Sequence, residues 1–293
     1  MWTQPRTPTD TGSVWLPISG AAPAVRLELD AFGTSHRGRV RPGNEDSFAV
    51  VAPRRGGLQQ RHNLPHDLPL AAEVEREGTL LLAIADGVGG QAGGEVASRI
   101  AIEAVVRRLA DHPWGGLDDG DAAALRRAVQ GAQLALRAEA QAEPRLREMG
   151  TTLTVAAIHD GWLRAAHVGD TRLYLWRGGR LHRLTTDHTM AEKMAAEGWL
   201  PPGSDSSRWS SVLWNSLGAG QRPEIEETAV EVEPGDVVLL CSDGLSDMLD
   251  DRRIGELMAG AESAHRACDA LLSAALEAGG RDNVTAVVAR VSS

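Results

Sequence analysis

Residues 151–184 hold four short apolar segments (151–158, 162–168, 171–176 and 181–184) joined by the tight pairs Asp160-Gly161, Gly169-Asp170 and Gly178-Gly179. Parallel strands need a crossover of about a dozen residues or more, so links this short predict antiparallel hairpins. On this reading Trp162 and Trp176 lie on adjacent strands and serve packing. The flanking segments change period. Ile102, Val105, Val106 and Leu109 recur at helical spacing, so a helix begins near Glu95, and a second, rich in Ala, Leu and Arg, spans 121–142. Strands at 25–31, 47–51 and 79–85 precede them. Strands at 226–232 and 237–241, helices at 251–258 and 262–277, and a last strand at 284–291 follow the hairpin block. Helix pairs separated by runs of strands exclude a βαβ fold. They predict an α+β protein of antiparallel sheets with helices packed outside.

The chain has 293 residues, of which 42% are hydrophobic and 24% charged, an ordinary balance for a globular domain. Residues 1–24 are rich in Thr, Pro, Gly, Ser and Ala and read as a flexible leader. Residues 25–293 read as a single domain. Residues 53–77 lack periodicity and read as an exposed loop insertion. A net charge of −10 argues against nucleic acid or an anionic membrane as partner. No apolar run reaches the length of a membrane span, so no membrane insertion is expected. Only two cysteines are present, and Cys241 sits in an apolar run, so a reduced, cytoplasmic compartment is expected.

Five aspartates stand at the edges of these strands: Asp46, Asp86, Asp170, Asp243 and Asp282. A strand terminus holds a carboxylate on a rigid scaffold, and the glycine beside several of them admits backbone or solvent. One such acid is usually a turn or cap residue. If the five meet, their charges repel unless hard cations such as Mg²⁺ or Mn²⁺ lie between them. Gly87-Val88-Gly89-Gly90-Gln91-Ala92 also fits the dinucleotide pattern GxGxxG/A. The helix after it leads to a Pro/Gly loop and another helix, not to the second parallel strand a nucleotide fold needs. His159, His167, His182 and His188 lack zinc-site spacing and read as hydrogen-bonded or surface histidines.

The motifs, in chain order, carry a resemblance. Gly38-Arg39-Val40-Arg41-Pro42-Gly43-Asn44-Glu45-Asp46, Ala85-Asp86-Gly87-Val88-Gly89-Gly90, Gly150-Thr151-Thr152, His167-Val168-Gly169-Asp170-Thr171-Arg172, Thr186-Asp187-His188-Thr189, Cys241-Ser242-Asp243-Gly244-Leu245 and Gly280-Arg281-Asp282-Asn283-Val284-Thr285 resemble the metal-dependent protein phosphatase family (PPM, type 2C), over about 28–291. The resemblance implies a four-layer αββα sandwich, two antiparallel sheets flanked by antiparallel helix pairs. It implies that Asp86 bridges two Mn²⁺ or Mg²⁺ ions with the Gly87 carbonyl on one, and that Asp243 and Asp282 bind the other. Glu45 and Asp46 would hold water or contact metal, Arg41 would grip the substrate phosphate, and Asp170 with Asp243 would form a third ion site. The implied activity is hydrolysis of phosphoserine or phosphothreonine in proteins by a metal-activated water, opposing a cognate Ser/Thr kinase.

Val88 stands where some eukaryotic members carry a histidine proposed as general acid, and His36 replaces an Asp often found before the opening motif. Residues 187–218, the family's flap, diverge, with Trp199, Trp209 and Trp214 expected to cluster there as a partner-docking surface. Two other functions share these motifs. One is a pseudophosphatase that binds phosphoproteins without turnover, and the other a phosphatase of a sigma-factor regulatory protein.

Overall fold

The computed structural model describes residues 27–54, 57–68, 78–88, 93–110, 112–115, 120–199, 206–218 and 222–293. The expected leader 1–24, the residues around Gly90 and parts of the 53–77 and 187–218 segments lie outside them.

The chain opens with β1 (Glu28–His36), β2 (Asp46–Arg54), β3 (Gly57–His62) and β4 (Leu80–Val88). Helices α1 (Gly93–Ala110) and α2 (Gly120–Ala142) follow. Next come β5 (Gly150–Thr151), β6 (Leu153–His159), β7 (Trp162–Val168), β8 (Arg172–Arg177) and β9 (Arg180–Arg183). Beyond α3 (Met190–Ala196) lie β10 (Leu217–Gly218), β11 (Glu226–Glu231) and β12 (Val237–Cys241). The chain ends with α4 (Asp243–Ser246), α5 (Asp251–Gly260), α6 (Ala264–Glu277) and β13 (Val284–Ser292). One sheet has five strands in the order β1-β13-β12-β8-β9. The other has eight, in the order β10-β5-β4-β6-β7-β11, with β2 paired to β4 and β3 to β2. All pairings are antiparallel among the described residues.

Three cores separate four layers, as the α+β expectation requires. Leu80, Leu82 and Ile84 of β4 face Val238 and Leu240 of β12 and Val287 and Ala289 of β13 between the sheets. Leu81, Ala83 and Ala85 of the same strand face α1 and α2. Val237, Leu239 and Cys241 face α5 and α6. Because side chains alternate across a strand, a strand covered on both faces is apolar at every position. That is why 79–85 and 237–241 read as unbroken runs. Leu82 is fully buried, so Leu82→Ala is expected to cost about 2–5 kcal/mol, measured by urea unfolding in EDTA.

Two expectations are corrected. Gly169-Asp170 does not close a hairpin. β7 pairs with β6 and β11, whereas β8 pairs with β12 and β9, so the chain crosses between sheets there. A short glycine-containing link permits either outcome, and the two-sided burial of β12 and β13 decides it. Trp162 and Trp176 therefore lie in different sheets, Trp162 under the Arg164 guanidinium and Trp176 against α5 at Gly255. Residues 53–77 are not simply a loop, since β3 pairs with β2 from Gly57↔Arg54 to His62↔Ala49. An edge strand joins by main-chain hydrogen bonds, so Gln59, Gln60 and Arg61 leave no apolar alternation to read.

Candidate functional site

The crossings between sheets gather the acids at one end of the sandwich. The chain passes from β1 in one sheet to β2 in the other just before Asp46, and returns at Asp170. Asp46 and Asp86 are direct cross-strand partners of β2 and β4. Like charges placed opposite each other destabilise a sheet. Asp243 begins α4, and its charge helps raise the Asp86 carboxyl. Asp282 lies in the turn before β13, where Arg41 Nη2 donates to its Oδ2 at 2.6 Å. Arg41 itself is exposed at the rim. Glu45 contributes its backbone carbonyl to the Gly87 N–H at 3.2 Å.

Hydrogen bonds fix this arrangement. Ser242 Oγ and Thr285 Oγ1 donate to the same oxygen, Asp46 Oδ2, at 2.8 and 2.6 Å. The other oxygen, Asp46 Oδ1, takes neither hydroxyl. Asn283 accepts the Glu45 N–H at 2.7 Å and donates to the carbonyls of Arg37 and Gly43, both at 2.9 Å. It staples the 37–45 loop to the turn carrying Asp282. Thr152 holds Asp86 from both sides of the main chain, its N–H on the Asp86 carbonyl and its Oγ1 under the Asp86 N–H, each at 2.9 Å.

Burial and mutual repulsion push the carboxyls up. Asp46 rises to about 7, mainly by burial and also by Asp243 and Asp282, against the lowering hydroxyl bonds. Asp243 rises to about 6 through burial, then Asp282 and Asp247. Asp86 and Asp170 are raised well above the ordinary range, chiefly by burial and then by the neighbouring acids. Burial also raises Glu45, partly offset by Arg41.

Asp46 Oδ1 and Asp243 Oδ1 are buried without a hydrogen-bond partner among the described residues. Buried carboxylate oxygens normally have donors, and these two have none while other acids raise both groups by their charge. An all-oxygen donor set of this kind suits hard divalent cations such as Mn²⁺ or Mg²⁺. The residues therefore fit the ions that the sequence implies.

A second constellation was not legible from spacing. One ligand atom from each of His167, His188 and Glu226 falls within 4.8 Å of the others. The hydrogen bonds decide what it is. His188 Nδ1 accepts the Gly169 N–H at 3.1 Å and Asn215 Nδ2 at 2.8 Å, so its own proton sits on Nε2, which faces Glu226 Oε2 at 3.7 Å. His167 Nε2 faces the Thr186 carbonyl at 3.1 Å and donates to it. Burial lowers the two rings to about 3 and about 4, keeping both neutral. A cation between them would meet N–H groups rather than lone pairs, so this is a hydrogen-bonded pair, as expected for these histidines.

Besides His188, sequence reasoning missed Asp247, one turn beyond Asp243, which raises Asp170 and Asp243 by its charge. It also assigned no task to Ser242, Thr285, Asn283 or Thr152, although all four lie inside the family motifs. In the 187–218 segment, Trp199 is 63% exposed, whereas Trp214 packs on His188 with ring centroids 5.2 Å apart. The Trp209 Nε1 is buried.

Residues 55–278 match the family described as Protein phosphatase 2C. The serine/threonine protein phosphatase PstP of Mycobacterium tuberculosis is 38% identical over 270 residues, 91% of this chain and 46% of that protein. This chain thus spans about half the length of that relative. Protein phosphatase PhpP of Streptococcus pneumoniae is 31% identical over 216 residues, 72% of this chain and 86% of that protein. The crystal structure of the PstP catalytic domain in complex with two manganese ions superposes with a TM-score of 0.72 at 36% identity, covering 91% of this chain and all of that one.

Proposed function

Because the chain belongs to the protein phosphatase 2C family, we propose that it hydrolyses phosphoserine and phosphothreonine in other proteins, using Mn²⁺ or Mg²⁺. The observation that carries this reading is the pair of buried, donor-free oxygens, Asp46 Oδ1 and Asp243 Oδ1, within an acid cluster beside an exposed guanidinium. Asp46, Asp86, the Gly87 carbonyl, Asp243 and Asp282 would hold two ions, and Asp170 with Asp243 a third. Bound there, the ions act as Lewis acids that lower the pKa of a water and neutralise phosphoryl charge.

The protein's own part is positioning. Arg41 sits at the rim with a planar fork suited to phosphate oxygens, and its partner Asp282 is one of the acids that would hold an ion. Ser242 and Thr285 keep Asp46 aimed inward. Asn283 holds the 37–45 loop, and with it Glu45, against the cluster. Neither cysteine is suited to act as a nucleophile, since both are buried and pushed up to about 12 by that burial.

The substrates on this reading are phosphorylated proteins made by a Ser/Thr kinase, and the reaction is a signalling step in the cytoplasm. No described helix is long and apolar enough to cross a membrane. The acidic surface disfavours nucleic acid as a partner. A pseudophosphatase would be free to lose acids, and this chain keeps all five. A phosphatase of a sigma-factor regulator would share every residue and differ only in target.

The test is phosphate release from a phosphothreonine peptide by the purified chain. Release is expected with Mn²⁺ and is expected to stop in EDTA. Tight binding of the peptide without release under either metal would instead mark a binding protein.

A further inference from the structure

A continuous line of contacts runs from the flap segment, 187–218, to Asp86. At the flap end, the Trp214 N–H donates to the His188 carbonyl at 3.0 Å, and Asn215 Nδ2 donates to the His188 ring at 2.8 Å. Asn215 is itself held by Glu224 through both a carbonyl at 2.7 Å and an N–H at 3.2 Å. At the other end, His188 grips Gly169 reciprocally. The His188 N–H donates to the Gly169 carbonyl at 2.7 Å, and the Gly169 N–H donates back to His188 Nδ1 at 3.1 Å. Gly169 has φ +111°, a region that favours glycine, and a Cβ there would lie 2.5 Å from the Thr152 side chain. The turn is therefore clamped between His188 and Thr152. Thr152 in turn holds the Asp86 main chain by two hydrogen bonds of 2.9 Å. The acid that follows Gly169 is Asp170.

We propose that His188 is a positioning residue that ties the base of the flap to the Gly169–Asp170 turn and, through Thr152, to Asp86, so that the seating of the flap and the geometry of the acid cluster change together. A ring locked on one nitrogen by two N–H donors from different segments suits this task, because it cannot rotate without breaking both. The proposal rests on the metal-centre reading above but does not require turnover. It concerns how well the acids are held, which metal binding reports directly.

The test compares His188→Asn with His188→Ala in the full chain. Asparagine places Oδ1 near the position of the imidazole Nδ1 and can accept the same N–H groups. Mn²⁺ affinity is measured by calorimetry without substrate, alongside kcat and KM on a phosphothreonine peptide. His188→Ala is expected to weaken Mn²⁺ binding roughly tenfold, within the usual range of coupling between sites, while His188→Asn stays close to the unaltered chain. A purely structural role would lower thermal stability without this rescue. Unchanged Mn²⁺ affinity in His188→Ala, or an Asn variant as impaired as the Ala variant, overturns the proposal. Should His188→Ala not fold, Asn215→Ala removes the flap-side donor and leaves the Gly169 contact in place. It is expected to weaken Mn²⁺ severalfold, and unchanged affinity there overturns the coupling. An unaltered chain that binds Mn²⁺ yet hydrolyses no phosphopeptide sinks the catalytic reading and leaves this one standing. One that binds no Mn²⁺ sinks both.

Discussion

Asp86→Asn is expected to abolish metal-dependent phosphate release while leaving the protein folded. The loss in kcat should be on the order of 10³-fold or more, above the roughly 10–100-fold typical of residues that only support a metal ligand. Asp86 lies opposite Asp46 in the sheet and feels the charges of Asp46, Asp243 and Asp170, which places it centrally among the acids. The amide has nearly the same shape and carries no charge. In EDTA it should therefore be at least as stable as the unaltered chain, because it removes one member of a repelling set. Mn²⁺ should raise the melting temperature of the unaltered chain and not that of Asp86→Asn. A variant that still gains stability from Mn²⁺ and still releases phosphate would remove Asp86 from the centre.

The metal-free protein carries a related pH signature. Asp46 and Asp243 have folded-state values raised to about 7 and about 6 from an ordinary 3.8, so the folded chain binds protons that the unfolded chain releases. Their contribution to stability is fully present below about 3.8 and is lost as pH rises through about 6 and 7. In EDTA, stability from this cluster should fall across that window, and Mn²⁺ should flatten the fall.

Gly244→Ala is the second large effect. A Cβ at Gly244 would lie 2.0 Å from the Asn283 carbonyl oxygen and 3.2 Å from the Asp282 Cβ. The obstacle is backbone, which cannot rotate aside. Relief requires α4 and the turn before β13 to separate, and these two elements carry Asp243 and Asp282. The expected cost is about 3 kcal/mol or more, at the upper end of overpacking effects, with loss of Mn²⁺ binding in whatever protein folds. Gly260→Ala is the control, since nothing lies within 4 Å of a Cβ there. Equal losses of stability in the two variants would show that close approach at Gly244 is not the cause.

Much of this architecture was legible in local pattern. Unbroken apolar runs at 79–85 and 237–241 announced strands covered on both faces, and the Ile102–Val105–Val106–Leu109 spacing announced a helix with one apolar stripe. The acids were legible only as a set, because each Asp alone reads as a turn or cap residue and the order of the motifs singles out the five together. What escaped was of two kinds. β3 escaped because an edge strand is held by main-chain pairing and leaves no side-chain period. The sheet crossing at Gly169–Asp170 escaped because a two-residue link looks the same whether the next strand pairs with the last one or leaves for another sheet.

The sequence by itself determined most element types, the five aspartates and the motif order that identifies the family, since these depend on residues close together in the chain. Only the tertiary structure decided that Asp46 faces Asp86, that Ser242 and Thr285 share one oxygen of Asp46, and that His188 joins Asn215 to Gly169. Those contacts span separations of 19 to 239 residues. A hydrogen bond depends on distance and direction in space, and no local pattern records the partner that folding brings to it.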